Sequence, residues 1–390
     1  MKGKSINTGI IIGLFSITLL FSCNTKDQNS GCSLQNISFI IDSILPDNIK
    51  TITDLRIIEH SDSVFIYIMD DSKIIVLNYK PNDISLYDSI YIPNEISECL
   101  NSGDYKFETF YPISPNNIIL FYSKLHIAQN ESLIINYHRP DKKFDTLLHL
   151  KNMNVILYSD LSYESNAVKY DSENDNLYIR CQYKNIDQDD NNLYYLSKLN
   201  IPTKEFKVLP ISYPNEFENY KNMATYHNLE FDVFDEKVIT SFSFPHTVLI
   251  YNTKENTTFF KKMDTKNCDD IPVFSDNDLE NSPELQHEAS KLHFKYTSIL
   301  FDKYKNNYLR FYEASQNEIN ENGEYSTFKD KKIGFALFNN SYKKTSDCIL
   351  GTKRELNPLY KTFTVTSYGI LYFSTYKYDT NRLYFTLINY

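Results

Sequence analysis

The chain has 390 residues, a formal net charge of −10 and a sequence pI near 5.4. This length is ample for a large folded core, in one domain or two. No basic stripe offsets the acidic balance, so we expect no nucleic-acid partner. The 32 Tyr and 26 Phe residues favour β-strands. Since there are only 9 Gly residues, the turns must rely on Asn and Asp, which tolerate left-handed backbone conformations.

A secretion signal opens the chain. Lys2 and Lys4 precede the apolar run Ile10–Phe21, which is too short to span a bilayer comfortably and is typical of a cleaved signal peptide. The run ends in Leu20-Phe21-Ser22-Cys23, which resembles the lipobox of bacterial lipoproteins. We therefore predict a signal peptide at residues 1–22 and lipidation of the Cys23 thiol. The alternatives are an ordinary signal peptide with a chance cysteine at its end, or an uncleaved anchor.

Lipidation of Cys23 would place the mature protein at a membrane. A mature bacterial lipoprotein carries three acyl chains, and two or more chains hold a protein firmly. We predict an outer-membrane lipoprotein of the cell envelope, facing either the periplasm or the cell surface. Residues 23–33, which include the polar and aperiodic segment Asn24–Gly31, are predicted to form a flexible tether.

Five cysteines follow the lipobox: Cys32, Cys99, Cys181, Cys268 and Cys348. They are far apart and odd in number, and they contain no C-x-x-C pair, so neither a disulfide framework nor a zinc site is expected. We predict that most are small buried residues, and we leave open one disulfide in an oxidising compartment. No metal or other cofactor is predicted.

Short alternating apolar runs, separated by Asn, Asp, Ser and Lys, dominate the chain and predict β-strands. They recur as six units, each with an aromatic-rich strand, a second strand, a polar turn and a third strand. The predicted strands are 63–69, 74–79 and 84–91; 117–124, 133–137 and 144–150; 176–183, 193–199 and 206–211; 237–244, 247–251 and 257–263; 307–313, 333–338 and 343–350; and 369–375 and 382–388. The stretches between units, such as Glu108–Ile113 and Ser290–Phe301, are predicted to supply a fourth strand.

A repeat with about four short strands in each unit predicts an all-β fold, a six-bladed β-propeller over residues 34–390. The last unit lacks its outer strand, and Gln35–Leu45 has the alternation to fill that place. We expect this N-terminal strand to close the ring and to remove an open sheet edge. A β-sandwich or two stacked β-domains are the alternatives.

Two pieces of the chain resemble a known family. Tyr296–Asp302 with Tyr304–Phe311, and Phe242–Pro245 ahead of Val248–Tyr251, are similar to segments of a family of Bacteroidota lipoproteins. These are described as proteins with a domain of unknown function and a six-bladed, TolB-like propeller. The resemblance implies the fold and the location, and it implies no known activity.

Two arginines are candidates for ligand binding. Asp175–Arg180 aligns residue by residue with Lys305–Arg310, so Arg180 and Arg310 occupy equivalent positions of first strands in their units. If these strands are innermost, both guanidinium groups point towards the channel, where Arg suits recognition of carboxylate or phosphate. The alternative is a structural pair, bonded to carbonyls or carboxylates of neighbouring blades.

Two acidic segments have weaker patterns. Asp187-x-Asp189-x-Asn191 has the first three ligand offsets of a calcium loop but lacks its glycine and its closing Glu, so we predict a plain hairpin turn. The insertion Asp264–Glu288 is predicted to be a solvated acidic loop. A cover over the channel and a calcium site are the alternatives for this insertion.

No G-x-S-x-G, Walker A or dinucleotide-binding glycine pattern occurs. We predict a binding or scaffolding propeller that recruits a small ligand, a glycan or an envelope protein through one face. The alternative is a hydrolase or lyase that acts on a polysaccharide. Several blades would contribute its catalytic residues, and the sequence does not identify them. A channel pocket with two carboxylates, or a histidine–carboxylate pair beside Arg180 and Arg310, would favour the enzyme.

Overall fold

The fold is seen in a computed structural model, and its described residues are 32–40, 49, 52–70, 73–80, 83–92, 106–125, 130–150, 155–156, 167–183, 194–211, 214, 229–266, 291–320, 322–358, 362–377, 380 and 382–390. Nearly all of the assigned secondary structure is β-strand. Within the described ranges, no helix is long and apolar enough to cross a membrane.

Six antiparallel sheets form the six blades of a β-propeller. The first strand of the chain, β1 (Ser33–Ile40), belongs to the last blade. Blade 1 contains β2 (Asp54–His60), β3 (Ser63–Asp70), β4 (Lys73–Lys80) and β5 (Asp83–Tyr91). Blade 2 contains β6 (Lys106–Ser114), β7 (Asn117–Leu125), β8 (Asn130–His138) and β9 (Lys143–Leu150). Blade 3 contains β10 (Val155–Ile156), β11 (Val168–Asp171), β12 (Asn176–Tyr183), β13 (Tyr194–Asn200) and β14 (Phe206–Val208), with β10 and β11 both paired to β12.

The remaining blades follow the same order. Blade 4 contains β15 (Leu229–Phe234), β16 (Lys237–Phe242), β17 (Thr247–Asn252) and β18 (Thr257–Lys262). Blade 5 contains β19 (Lys295–Asp302), β20 (Asn307–Glu313), β21 (Lys332–Asn339) and β22 (Lys344–Thr352). Blade 6 contains β23 (Thr364–Thr366), β24 (Gly369–Lys377) and β25 (Arg382–Asn389), and β1 completes it. The predicted six-bladed propeller is therefore confirmed.

The strands predicted within each unit are the second, third and fourth strands of the blades. The innermost strands come from the stretches between the predicted units. Strands β2, β6, β11, β15, β19 and β23 come first in their blades, and most neighbours among them lie in contact around the ring. Asp54–His60 was not predicted as a strand. Its mixture of charged and apolar residues reflects its position between the packed blade and the channel.

The two faces of the ring differ in their connections. Tight turns join first to second and third to fourth strands at one end, which we call the turn face; the other end is the loop face. Contacts between blades show that the first-to-second turns share one face, because Glu59 at the end of β2 accepts hydrogen bonds from Ser367 of blade 6 and Tyr304 of blade 5. Left-handed positions in these turns are held by Asp62, Asp175, Asp235, Asn256 and Asn306, among others, as the composition predicts.

The core is divided into six apolar clusters, one at each interface between neighbouring blades. Strand β3 shows why the central strands are continuously apolar. Its alternate side chains enter different clusters: Val64, Ile66 and Ile68 pack towards blade 6, and Phe65, Tyr67 and Met69 pack towards blade 2. Both faces of a central strand are therefore buried, which removes the polar alternation of a half-exposed strand.

Strand β1 closes the ring, as predicted. It pairs antiparallel with β25 from Ser33 opposite Asn389 to Ile40 opposite Arg382. A disulfide joins Cys32, just before β1, to Cys348 in the outermost strand of blade 5, across 316 residues of sequence. The sequence left open whether one disulfide forms, and the structure contains one between Cys32 and Cys348. Cys181 is a free, buried cysteine, as predicted.

Candidate functional site

Polar side chains from the innermost strands of blades 1 to 4 gather along one side of the channel. They are Asp54 and Arg56 on β2, Thr109 and Tyr111 on β6, Lys169 on β11 and Asp232 on β15. These polar side chains lie on innermost strands because innermost strands border the channel, whereas the second and third strands are enclosed between blades. We call this group the channel cluster.

A hydrogen-bonded triad forms the blade 1 part of the channel cluster. The Thr109 hydroxyl donates to Asp54 Oδ2 at 2.5 Å, and Arg56 Nη2 donates to Thr109 Oγ1 at 3.1 Å. Arg56 Nη2 also lies 3.5 Å from Asp54 Oδ2. The carboxylate therefore fixes one edge of the guanidinium group and balances part of its charge.

Two other nitrogens of Arg56 lack acceptors in the part of the fold that the structure describes. The residue is only 7% exposed, yet Nε and Nη1 have no hydrogen-bond partner among the described residues. Buried polar groups are nearly always hydrogen-bonded, and a charged group without partners is costly. Each of these two nitrogens offers an anion the N–H donor of a charge-assisted hydrogen bond.

Tyr111, Lys169 and Asp232 continue the cluster around the ring. Lys169 Nζ lies 3.2 Å from Asp232 Oδ1, and Asp232 Oδ2 accepts from the main-chain NH of Phe301 at 2.7 Å. Desolvation raises the pKa of the Tyr111 hydroxyl, against the opposing charges of Lys169 and Arg56. The tyrosine thus stays a neutral donor at physiological pH, within electrostatic range of both cations.

Contacts between blades join the innermost strands at the turn face. Glu59 joins blade 1 to blades 5 and 6 through Tyr304, Lys303 and Ser367. The rings of Phe234 and Phe301 stack with their centroids 3.7 Å apart between blades 4 and 5. Asp54 and Arg56 lie at the opposite, loop-face end of β2, so a ligand of the channel cluster would enter from the loop face.

Arg180 and Arg310 do not occupy the position expected from the sequence. They lie on β12 and β20, the second strands of blades 3 and 5, and both are fully buried at 0% exposure. The prediction that they line the channel is corrected, because the strand that precedes each of them in its blade is the innermost one. Their contacts agree with the structural alternative.

Both arginines reach into blade 4 from opposite sides. Arg180 Nη1 lies 3.3 Å from the Leu229 carbonyl oxygen and 3.4 Å from Glu230 Oε1, both on β15. Arg310 stacks on the ring of Tyr296 and donates five hydrogen bonds of 2.7–3.4 Å to Ser241 Oγ and to the carbonyl oxygens of Phe242, Pro245, His246 and Met263. Blade 4 is therefore fixed between its neighbours by two buried cations.

A second buried polar cluster lies at the loop-face end of blade 5. Glu313 Oε1 is 2.7 Å from Lys353 Nζ and 3.8 Å from Lys295 Nζ, and Glu313 Oε2 is 3.4 Å from Lys331 Nζ. Burial opposes ionisation of Glu313, but the three lysine charges outweigh it and lower its pKa to about 2. Burial lowers the pKa of Lys331 to about 8, against the attraction of Glu313. The cluster ties β19, β20 and the segments flanking β21 and β22 together.

Protonation of Glu313 is expected to destabilise the fold. Its folded-state pKa of about 2 lies below the ordinary 4.5, so its contribution is complete above pH 4.5 and is lost as the pH falls towards 2. Between pH 5 and pH 3 the free energy of unfolding should fall by about 2 kcal/mol more than in Glu313→Gln. Urea unfolding curves at the two pH values measure this difference, and equal pH dependence in both proteins would contradict it.

Several sequence predictions fall outside the described residues: the signal peptide, Cys23, the calcium-like segment Asp187–Asn191 and most of the insertion Asp264–Glu288. Among the described residues, no group of three or more His, Cys, Asp or Glu side chains is placed to hold a metal ion. The histidine–carboxylate pairs His138–Asp141 and His149–Glu131 lie in blade 2, whereas Arg180 and Arg310 are in blades 3 and 5.

The residues of the channel cluster were missed at the level of sequence. One signal was present: Asp54-Leu-Arg56-Ile places two charges at alternate positions of an apolar stretch, the pattern of a strand whose one side is polar. The alignment of Arg180 with Arg310 favoured second strands instead, because second strands have the stronger apolar pattern.

Known protein families and solved structures include relatives of this chain. Residues 100–330, more than half of the chain, match the family described as domain of unknown function DUF4221. The chain belongs to the DUF4221 family. No curated protein matches it.

Solved structures agree with this membership. A DUF4221 family member from Bacteroides vulgatus is 15% identical, covers 92% of this chain and 98% of its own, and superposes with a TM-score of 0.59. A Bacteroides fragilis protein inferred to be exported is 10% identical, covers 91% of this chain and 95% of its own, and gives a TM-score of 0.50. At these identities the similarity establishes the propeller fold of the DUF4221 chain and no activity.

Proposed function

We propose that this DUF4221 protein is an extracytoplasmic lipoprotein, anchored through Cys23, whose propeller binds a small anionic ligand at Arg56. The ligand group is a carboxylate, sulfate or phosphate, carried by a small molecule or by an acidic sugar of a glycan. The protein acts by binding, and the anchor keeps the bound ligand at the membrane.

Two buried nitrogens of Arg56 without acceptors carry the proposal. A guanidinium group that is only 7% exposed holds two nitrogens, Nε and Nη1, without partners among the described residues. An anion placed against either nitrogen would supply its missing acceptor and gain the strength of a charge-assisted hydrogen bond. Tyr111 adds a neutral hydroxyl nearby, which suits a polar ligand more than a bare ion.

Location outside the cytoplasm has three supports. The signal sequence ends at a lipobox-like Cys23. The disulfide between Cys32 and Cys348 is of the kind that persists in oxidising compartments. The structurally similar protein from Bacteroides fragilis is inferred to be exported.

Anions are expected to stabilise the protein through Arg56. At 100 times its Kd, a ligand that binds only the folded state adds about 2.7 kcal/mol to the free energy of unfolding. Thermal unfolding with glucuronate, galacturonate, sulfate and phosphate should therefore show a concentration-dependent rise in Tm for at least one of them. Arg56→Met should lose this rise.

The matched control is Arg139→Met, which removes an equally charged side chain from the rim of blade 2, where it contacts Asp88 and Tyr87. This control should keep the response to the anion. An equal rise in Tm for the native protein and Arg56→Met would exclude Arg56 as the binding residue.

Lipidation is tested separately at Cys23. Cells fed a palmitate analogue with an alkyne label should yield labelled mature protein, and Cys23→Ser should remain unlabelled and keep its signal sequence. Intact-mass measurement should place three acyl chains at the N-terminus. A mature protein without lipid on Cys23 would contradict the anchor while leaving the Arg56 site to its own test.

A further inference from the structure

The chain enters the propeller at its turn face. Ser33 lies opposite Asn389, and Ile388 lies opposite Ile370, which follows the first-to-second turn of blade 6 at Gly369. Cys32 is fixed there by its disulfide to blade 5. Cys23 precedes Cys32 by nine positions, and an extended chain of that length reaches at most about 30 Å. A lipid on Cys23 would therefore hold the blade 5–6 edge of the turn face close to a bilayer.

The charge of the turn face is divided between two halves. The turns of blades 5 and 6 carry exposed lysines at Lys303, Lys305 and Lys343, which we call the basic edge. Among the described residues of these turns the acidic side chain is Asp302, which is 3% exposed and bonded to Tyr390. Glu59, the partner of Lys303, has a side chain only 4% exposed, while that of Lys303 is 53% exposed.

The opposite half of the turn face is acidic. The turns of blades 3 and 4 carry Asp171, Glu173, Asp175, Glu205, Asp235, Glu236 and Glu255, against Lys204, Lys237 and Lys254. The two halves would thus respond in opposite ways to a negatively charged surface. Attraction of basic residues to anionic lipid headgroups acts within about a Debye length of the surface.

An aromatic side chain stands within the basic edge. Tyr304 is 46% exposed, and its ring lies beneath Lys303 with the ammonium group 5.0 Å from the ring centroid. Tyrosine next to lysine suits the headgroup region of a bilayer, where an amphipathic ring and a cation both find partners.

We propose that the basic edge of the turn face is a docking surface for the anionic bilayer into which the protein is anchored. The ring then sits tilted, with blades 5 and 6 on the lipid headgroups and with blades 3 and 4 raised. The loop face, through which a ligand reaches Arg56, points away from the membrane. This orientation rests on the proposed anchoring at Cys23. It adds a preference for anionic lipid and the direction in which the loop face points.

Amine-reactive labelling of the lipidated protein tests this orientation. The protein is incorporated into vesicles of pure phosphatidylcholine, or of phosphatidylcholine with 30% phosphatidylglycerol, and each lysine is followed by mass spectrometry. Labelling of Lys303, Lys305 and Lys343 should be about threefold slower or more in the anionic vesicles, and 0.5 M NaCl should reverse the protection, whereas Lys377 at the loop-face end of β24 should react equally in both vesicles. Lys204 and Lys254 should react equally in both vesicles.

Charge reversal supplies the matched variants. Lys303→Glu/Lys305→Glu should abolish the protection of Lys343, and Lys204→Glu/Lys254→Glu, with the same change in net charge, should preserve it. Flotation with the neutral vesicles reports the anchor alone. A protein that floats but shows equal labelling of the basic edge in both vesicles would overturn the orientation and leave the anchor intact. A protein that does not float would overturn the anchor, and the orientation with it.

Discussion

Replacement of Arg310 by alanine is expected to lower the free energy of unfolding by about 4 kcal/mol, because several buried acceptors lose their donor at once. The guanidinium group donates to five acceptors of blade 4, of which the carbonyl oxygens of Pro245, His246 and Met263 are within 2.8 Å. It also fills the space against the Tyr296 ring. Urea unfolding followed by tyrosine fluorescence measures the effect.

The control for Arg310 lies five positions earlier in the chain. Lys305→Ala removes an exposed cation from the turn that precedes the same strand, and it should change stability by less than about 0.5 kcal/mol. Arg310→Lys keeps the charge but cannot reach acceptors on several sides, so most of the loss should remain. If Arg310→Ala were as stable as Lys305→Ala, the view that buried cations fix blade 4 would be wrong.

Loss of the Cys32–Cys348 disulfide is expected to cost about 3–5 kcal/mol, since the bond closes a very long loop of the unfolded chain. It also holds β1 against the neighbouring blade, so its loss should loosen the closing strand first. Cys32→Ser/Cys348→Ser should unfold at a lower urea concentration than the native protein. Hydrogen exchange should report faster opening of β1 and β25 than of β3 and β4.

Treatment with a reductant separates the effect of breaking the disulfide from the effect of replacing the two cysteine side chains. Dithiothreitol should destabilise the native protein to the level of Cys32→Ser/Cys348→Ser, and it should have no effect on that variant. Cys181→Ser, which alters the free buried cysteine, should keep the full response to dithiothreitol. A native protein whose urea midpoint is the same with and without reductant would contradict a stabilising disulfide.

The central strands of the blades were predictable because each is enclosed on both faces. A run such as Val64–Met69 is apolar at every position, and it stands out against the Asn- and Asp-rich turns that border it. The closing strand was also predictable, because the last unit lacked a partner and the N-terminal segment had the matching alternation.

The innermost strands and the channel cluster were not predictable in the same way. Strand β2 mixes Asp54 and Arg56 with apolar residues, since one part of it faces the channel and the other the blade. The short β23, with three residues, offers too little pattern to recognise. The pairing of Cys32 with Cys348 depends on the neighbouring outer strands of blades 5 and 6, which sequence spacing cannot reveal.

Arg180 and Arg310 were assigned to the channel because the innermost strands were not recognised from the sequence. Alignment of two units gave Arg180 and Arg310 equivalent positions, but the strand registers differ by one residue: Asn176 corresponds to Asn307, so Arg310 corresponds to Ile179. The two arginines lie on the second strands of their blades and leave opposite faces of those strands. The alignment could not tell a second strand from an innermost one, because the innermost strand had been placed between units. Arg56, which does lie on an innermost strand, has no counterpart in that alignment.

The central claim is that the Arg56 guanidinium group is an anion-binding site. Diffraction from crystals soaked in selenate, recorded at the selenium absorption edge, tests it most directly. We predict an anomalous peak for a selenate whose oxygen lies within hydrogen-bond distance of Arg56 Nε or Nη1, absent from crystals of Arg56→Met grown and soaked alike. Anomalous peaks confined to surface lysines, with none beside Arg56, would contradict the claim.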